Sequence, residues 1–199
     1  GMTHASSQTK NDFAETKPEV FLPQIDDMIN LPQADDARIS PDGRHVIYSL
    51  GCADWEQNER ISQLWLTGDD LPGPLQLTYT NTGSWMPRWH PDGQQAAFLS
   101  KREGDDAPQI YLFSPFGGEA RRLTELNGSI ASFAWSPDAE LLAYARPDGI
   151  GLVNLEEVEN QLQPLLPLLP FNTRSEWAWV PGIAWAPDHS FLYTIANAS

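Results

Sequence analysis

The sequence predicts an all-β chain, part of a β-propeller of four-stranded antiparallel blades, and three observations carry that prediction. A Pro-Asp pair recurs at residues 41–42, 91–92, 137–138 and 187–188, its prolines 50, 46 and 50 residues apart. Two places before each pair stands an apolar residue, Ile39, Trp89, Trp135 or Trp185, and an apolar run containing an aromatic follows it. The 17 prolines and 14 glycines are spread along the chain, and no apolar pattern recurs for long at helical spacing, which favours short strands and tight turns.

The second unit shows the pattern most fully. Its first strand is expected over 85–90, and Pro91-Asp92-Gly93 reverses the chain: proline fixes φ, aspartate bonds back to nearby amides and glycine accepts positive φ. Strands over 95–100, 109–114 and 120–124 follow, separated by a polar connection over 101–108 and the turn Phe116-Gly117-Gly118. The first unit repeats this order with strands over 37–40, 45–50, 61–67 and 75–78 and a long connection over 52–60. Its closing Leu77-Thr78 matches Leu123-Thr124. The third supplies strands over 132–136, 140–145 and 150–155, with Ala139 in place of the turn glycine and an irregular stretch over 161–170 that leaves its fourth strand unassigned. The fourth, over 181–194, holds only the first hairpin, its second strand one residue closer to the turn. The predicted organisation is a flexible segment over 1–18 and a partial propeller over 19–199, with blades at about 37–80, 81–126, 127–175 and an incomplete 176–199.

Trp89, Trp135 and Trp185 share one slot with Ile39, and Tyr48, Phe98 and Tyr144 share another, with Tyr193 one residue off. Aromatics repeated at structural positions are expected to wedge between facing blades. Trp177 and Trp179, two apart on an expected strand, fall on one face and suit either core packing or a binding platform. A blade cannot bury both faces alone, so three and a half blades leave two open ends. These ends invite self-association or cover by residues 19–29, whose Val20-Phe21-Leu22-Pro23 could add an outer strand.

The formal charge of -15 and pI near 4.4 oppose binding to a phosphate backbone, and no basic run exceeds Arg121-Arg122, so nucleic acid is excluded as a partner. No stretch reaches the roughly 20 apolar residues of a membrane span. The single Cys52 has no partner for an internal disulfide. Residues 1–20 lack the apolar core of a signal peptide. A natural start at Met2 would predict a cytoplasmic protein, and a removed leader a periplasmic one.

The Ile39-Ser40-Pro41-Asp42-Gly43-Arg44 segment, with Trp89 to Gly93 and Trp135 to Asp138, resembles the WD40-like PD40 repeat of TolB-type propellers. The runs Gly117-Gly118-Glu119-Ala120-Arg121-Arg122-Leu123-Thr124 and Gln109-Ile110-Tyr111-Leu112 also resemble the amino-terminal propeller of prolyl-oligopeptidase-type serine peptidases, particularly the acylaminoacyl-peptidase branch. The likeness spans about residues 27–145 and weakens beyond Arg146. The first resemblance implies a non-catalytic module that binds a protein or peptide. The second implies a propeller that gates substrate access to a hydrolase domain lying outside these residues.

No catalytic residue is expected in this chain, which has no G-x-S-x-G elbow; Gly128-Ser129, the nearest fragment, lacks the second glycine. The four histidines show no metal-ligand spacing, there is no phosphate loop, and neither metal nor cofactor is expected. Asp69-Asp70 and Asp105-Asp106 sit in polar connections, as solvated loop residues or, less simply, a calcium site. The turn residues are Pro41, Asp42, Pro91, Asp92, Pro137, Asp138, Pro187 and Asp188, which His90 and His189 adjoin. The one candidate binding pair is Arg38 and Arg88, at equivalent places on the innermost strands where the later units carry Ala134 and Ala184. They are expected either to meet an acidic ligand or to pair with neighbouring carboxylates.

Overall fold

The computed structural model of the chain describes residues 31–56, 58–147, 149–155 and 183–188, and residues 163–167 and 192–194 by their backbone. The expectations placed on residues 1–18 and 19–29, on Trp177 and Trp179, and on His189 lie outside the described residues.

Fourteen strands among the described residues form four separate antiparallel sheets, and no helix occurs among them. The first blade is β1 (Gln33–Ile39), β2 (His45–Asp54), β3 (Glu59–Gly68) and β4 (Leu75–Gln76), hydrogen-bonded in that order. The second is β5 (Ser84–Trp89), β6 (Ala96–Ser100), β7 (Gln109–Phe113) and β8 (Arg121–Arg122). The third is β9 (Ser132–Trp135), β10 (Leu141–Arg146), β11 (Gly149–Asn154) and β12 (Gln163–Pro167), and a hairpin of β13 (Ile183–Trp185) and β14 (Leu192–Thr194) begins a fourth. The all-β, partial-propeller expectation is met.

Three element expectations need correction. The connection assigned to 52–60 is mostly strand: Cys52, Ala53 and Asp54 pair with Ile61, Arg60 and Glu59, which leaves only a tight turn at the tip. The first strand begins at Gln33 rather than at 37. The third blade has its fourth strand within the stretch read as irregular, β12, which pairs with β11.

Every Pro-Asp pair lies between the first and second strands of its sheet, and the first and third blades hold the turn by the same serine-centred bonds. In the first blade the Ser40 amide donates to the His45 carbonyl (2.7 Å), and the Ser40 hydroxyl donates to Asp42 Oδ1 (2.5 Å) and accepts from the His45 amide (3.0 Å). Ser136 and Asp138 repeat this in the third blade, the Leu141 amide donating to Ser136 Oγ at 2.9 Å. Gly43, Gly93 and Ala139 occupy the turn's left-handed position, with φ of 76°, 72° and 66°. At Ala139 the Cβ makes that conformation strained.

Blade packing follows the two-residue period of the strands. Phe98 and Tyr111 on one face of the second blade pack with Ile47, Leu64 and Leu66 of the first. Ala97, Leu99, Ile110 and Leu112 on its other face pack with Phe133, Leu142 and Tyr144 of the third. The repeated aromatics therefore do wedge between blades, each toward the blade before it, and Tyr48, with no described blade before it, stays half-buried.

Candidate functional site on the first strands

The first strands of successive blades are joined by one repeated hydrogen bond. Trp89 Nε1 donates to the Arg38 carbonyl (2.9 Å), Trp135 Nε1 to the Arg88 carbonyl (3.1 Å) and Trp185 Nε1 to the Ala134 carbonyl (3.1 Å). An indole N–H that is packed against apolar neighbours needs an acceptor, and the adjacent strand's carbonyl supplies it. The acceptors are the backbone groups of the positions singled out from the sequence, so the indole ladder holds the backbone from which Arg38 and Arg88 extend.

Both arginines follow a β-bulge. In β1 the pairing shifts between Asp35 and Arg38, setting Asp36 and Ala37 opposite Tyr48 alone. In β5 it shifts between Trp85 and Arg88, setting Met86 and Pro87 opposite Phe98. Asp36 (φ 48°) and Met86 (φ 56°) take the left-handed conformation, and Pro87 sits where no ladder amide is required. The third blade pairs Phe133 with Tyr144 without any shift, and there Ala134 replaces the arginine. Bulge and arginine thus occur together in two blades and are absent together in the third.

The bulge brings Asp36 between the two guanidinium groups. Arg88 Nη1 lies 2.9 and 2.8 Å from the two Asp36 carboxylate oxygens and also donates to the Pro87 carbonyl (2.7 Å). Arg38 Nη2 lies 2.7 Å from Asp36 Oδ1. Arg88 also stands 6.0 Å over the Phe133 ring of the next blade, within cation–π range. The Arg88 and Asp36 side chains are 23% and 22% exposed, whereas Arg38 is 48% exposed. Two guanidinium groups around one carboxylate leave one net positive charge on a strongly acidic chain.

The other polar residues singled out have local partners. Asp105 is the most buried, its side chain 1% exposed. It accepts from the Tyr111 hydroxyl (2.6 Å), the Arg102 amide (2.9 Å) and Arg122 Nη1 (2.9 Å). Burial alone would raise its pKa, but these donors hold the carboxyl below its usual value. Burial and then the hydrogen bond to Asp105 push Tyr111 up to about 12. Asp70 accepts from His45 Nε2 (2.7 Å), which lowers its pKa. His90 contacts Asp92, reaches the Ala139 carbonyl (3.3 Å) and packs edge-on against Trp135, so it joins two blades. Ser129 is exposed in the connection between β8 and β9, and Cys52 is exposed at the far end of β2. Among the described residues no three His, Cys, Asp or Glu side chains converge on a metal position, and no helix is long and apolar enough to cross a membrane.

A concavity of about 600 Å³ lies against the first blade. Leu50, Ile61 and Trp65 give it apolar walls, and Asp54 and Glu56 at the hairpin tip supply acidic groups.

Sequence reasoning missed a paired glutamine. Gln63 and Gln109 each stand 15 residues before the closing threonine of their blade. Thr78 Oγ1 donates to Gln63 Oε1 (2.9 Å), and Thr124 Oγ1 to Gln109 Oε1 (2.7 Å), while each threonine oxygen accepts the amide of the residue after its glutamine. The equal spacing was the available signal, and it belongs to blade closure.

The four antiparallel sheets, stacked so that their first strands are joined by the indole bonds, make a partial β-propeller, the fold that TolB and the acylaminoacyl-peptidase propellers also have. No family model matches the chain. It is 34% identical over 136 residues to the uncharacterized peptidase YuxL of Bacillus subtilis, a match covering 67% of this chain and 20% of that protein. Among solved structures it superposes on TolB from Acinetobacter baumannii with a TM-score of 0.60, at 16% identity, over 84% of this chain and 39% of the other. The acylaminoacyl peptidase of Pyrococcus horikoshii gives a TM-score of 0.58 at 17% identity, over 84% of this chain and 31% of that one. The chain spans about a fifth or less of the length of the curated peptidases it matches.

Proposed function

We propose that this chain is the propeller portion of a prolyl-oligopeptidase-type serine peptidase and that it selects peptide substrates for a hydrolase domain outside these residues. The observation that carries this reading is the 34% identity to an uncharacterized peptidase over 67% of the chain. In this role the blades do no chemistry. They present loops and first strands to a peptide, and catalysis belongs to a serine in a nucleophile elbow elsewhere. The free-standing binding module expected from the TolB likeness shares the peptide-recognition step and differs in having no hydrolase partner.

An active-site serine probe distinguishes the two. Applied to the product of the whole gene, a fluorophosphonate is expected to label one serine within a G-x-S-x-G segment, and that label should disappear on its Ser→Ala change. The 199-residue chain alone is expected to stay unlabelled. An unlabelled whole product would overturn the peptidase reading, and stoichiometric labelling of the chain alone would reveal a nucleophile within it.

A further inference from the structure

We infer that Arg38, held between Asp36 and solvent, is the anchor for a peptide carboxylate, with Asp36 acting as the internal carboxylate that the ligand joins or displaces. The inference rests on the peptide-selecting role above and names the chemistry that such a role would read.

Four observations lead to it. The two arginines are spent unequally. Arg88 is largely enclosed, contacts both oxygens of Asp36, and is braced by the Pro87 carbonyl and the Phe133 ring. Arg38 makes one contact to Asp36 through Nη2 and is half exposed, and its remaining N–H groups make no hydrogen bond to any described residue. A guanidinium carries five donors in a planar fork matched to a carboxylate, and among the described residues most of that fork has no partner.

Arg38 is also held at both ends, its backbone by the Trp89 indole on its carbonyl and its guanidinium by the Nη2 contact to Asp36. A guanidinium already held by a carboxylate loses less conformational freedom on binding than an unpaired one does. The net charge of the cluster selects the class of anion: one excess positive charge beside a retained aspartate suits a monoanion, and a doubly charged phosphate would meet repulsion from Asp36. Finally, Asp36 is in the left-handed region, where asparagine is tolerated as well as aspartate, so its charge can be removed without demanding a new backbone.

The test uses the full chain, isotope-labelled so that the arginine Nε–H resonances can be followed. Three probes are titrated: N-acetylated tetra-alanine with a free C-terminal carboxylate, its C-terminal amide, and the amide carrying one glutamate. The free acid and the glutamate peptide separate a terminal from a side-chain carboxylate, and at least one should shift the Arg38 resonance while the plain amide does not. Asp36→Asn should tighten binding by about tenfold through removal of the competing charge, and Arg38→Gln should abolish it without changing the melting temperature. Equal binding of acid and amide, or binding indifferent to Arg38→Gln and Asp36→Asn, would sink the carboxylate site and leave peptide selection standing. No binding of any of the three probes would overturn both the site and peptide recognition by this chain, whereas the serine-probe result bears only on the hydrolase partner.

Discussion

The first and second blades are built from the same repeat yet carry their apolar side chains differently. In the second, every residue of β6 and β7 is buried, because blades lie against both faces. In the first, β2 alternates: His45, Ile47, Ser49 and Gly51 are buried toward the second blade, while Val46, Tyr48 and Leu50 are only half-buried on the other side. Cross-strand partners extend that second face, since Tyr48 pairs with Trp65 and Val46 with both Ile39 and Thr67. Ile39 is 64% exposed at the position where the second blade buries Trp89. The chemistry of the two faces is alike, and a neighbouring sheet makes the difference. Burial in a propeller is thus conferred between blades and cannot be assigned to a strand in isolation.

The largest test of this comparison is a pair of truncations at one repeat slot. Phe98→Ala should cost about 3–5 kcal/mol, since the ring is enclosed between blades, and Tyr48→Ala about 1 kcal/mol, since its face has no described neighbour. Urea unfolding of both variants measures the gap. Equal costs would mean that the open face of the first blade is covered.

The second test concerns Asp105, for which the first blade has no counterpart among its described ion pairs. Asp105→Asn should cost about 2–3 kcal/mol by leaving Tyr111 and Arg122 without their carboxylate, reduced to the extent that Arg122 reaches water. The folded pKa of Asp105 is depressed, so its contribution is present above the unfolded carboxylate value and lost as pH falls through the folded one. Tyr111 shifts the other way. Its contribution is complete below pH 10 and lost as pH rises toward about 12, and Tyr111→Phe should remove that alkaline limb from a pH series of melting temperatures.

A smaller effect, about 1 kcal/mol, is expected when Trp135→Phe removes the N–H that serves the Arg88 carbonyl. Ile39→Trp in the first blade should gain no comparable stability, because no described carbonyl lies before it. The smallest effect is at the turns. Ala139→Gly should stabilise by about 0.5–1 kcal/mol and Gly43→Ala should destabilise by about 1 kcal/mol, both readable as shifts in melting temperature. A loss of stability in Ala139→Gly would mean that the alanine methyl is packed, outweighing its backbone strain.

The repeat was legible because its turn chemistry is local: proline, aspartate and glycine within three residues specify the reversal, and their spacing gives the blade. The hairpin tip was misread because Gly51, Cys52, Ala53 and Asp54 carry none of the β-branched or aromatic character that marks a strand; what holds them is pairing with residues 59–62. The strand β12 was hidden by Pro164 and Pro167, which break most strands but are tolerated at the edge of a sheet, where β12 lies. At the candidate site, the equivalence of Arg38 and Arg88 was visible, and pairing with a carboxylate was among the expectations. The choice of Asp36 was not, because it depends on a bulge and on a contact between residues 52 positions apart in sequence.

The indole ladder also gives the assembly a direction. Each tryptophan donates backward to the preceding blade, so the stack has a donor side and an acceptor side, as a polar fibre has two unlike ends. Ile39 occupies the donor slot without an N–H to give. Any sheet that comes to lie before the first blade must therefore be held at that slot without the indole bond that joins the described blades.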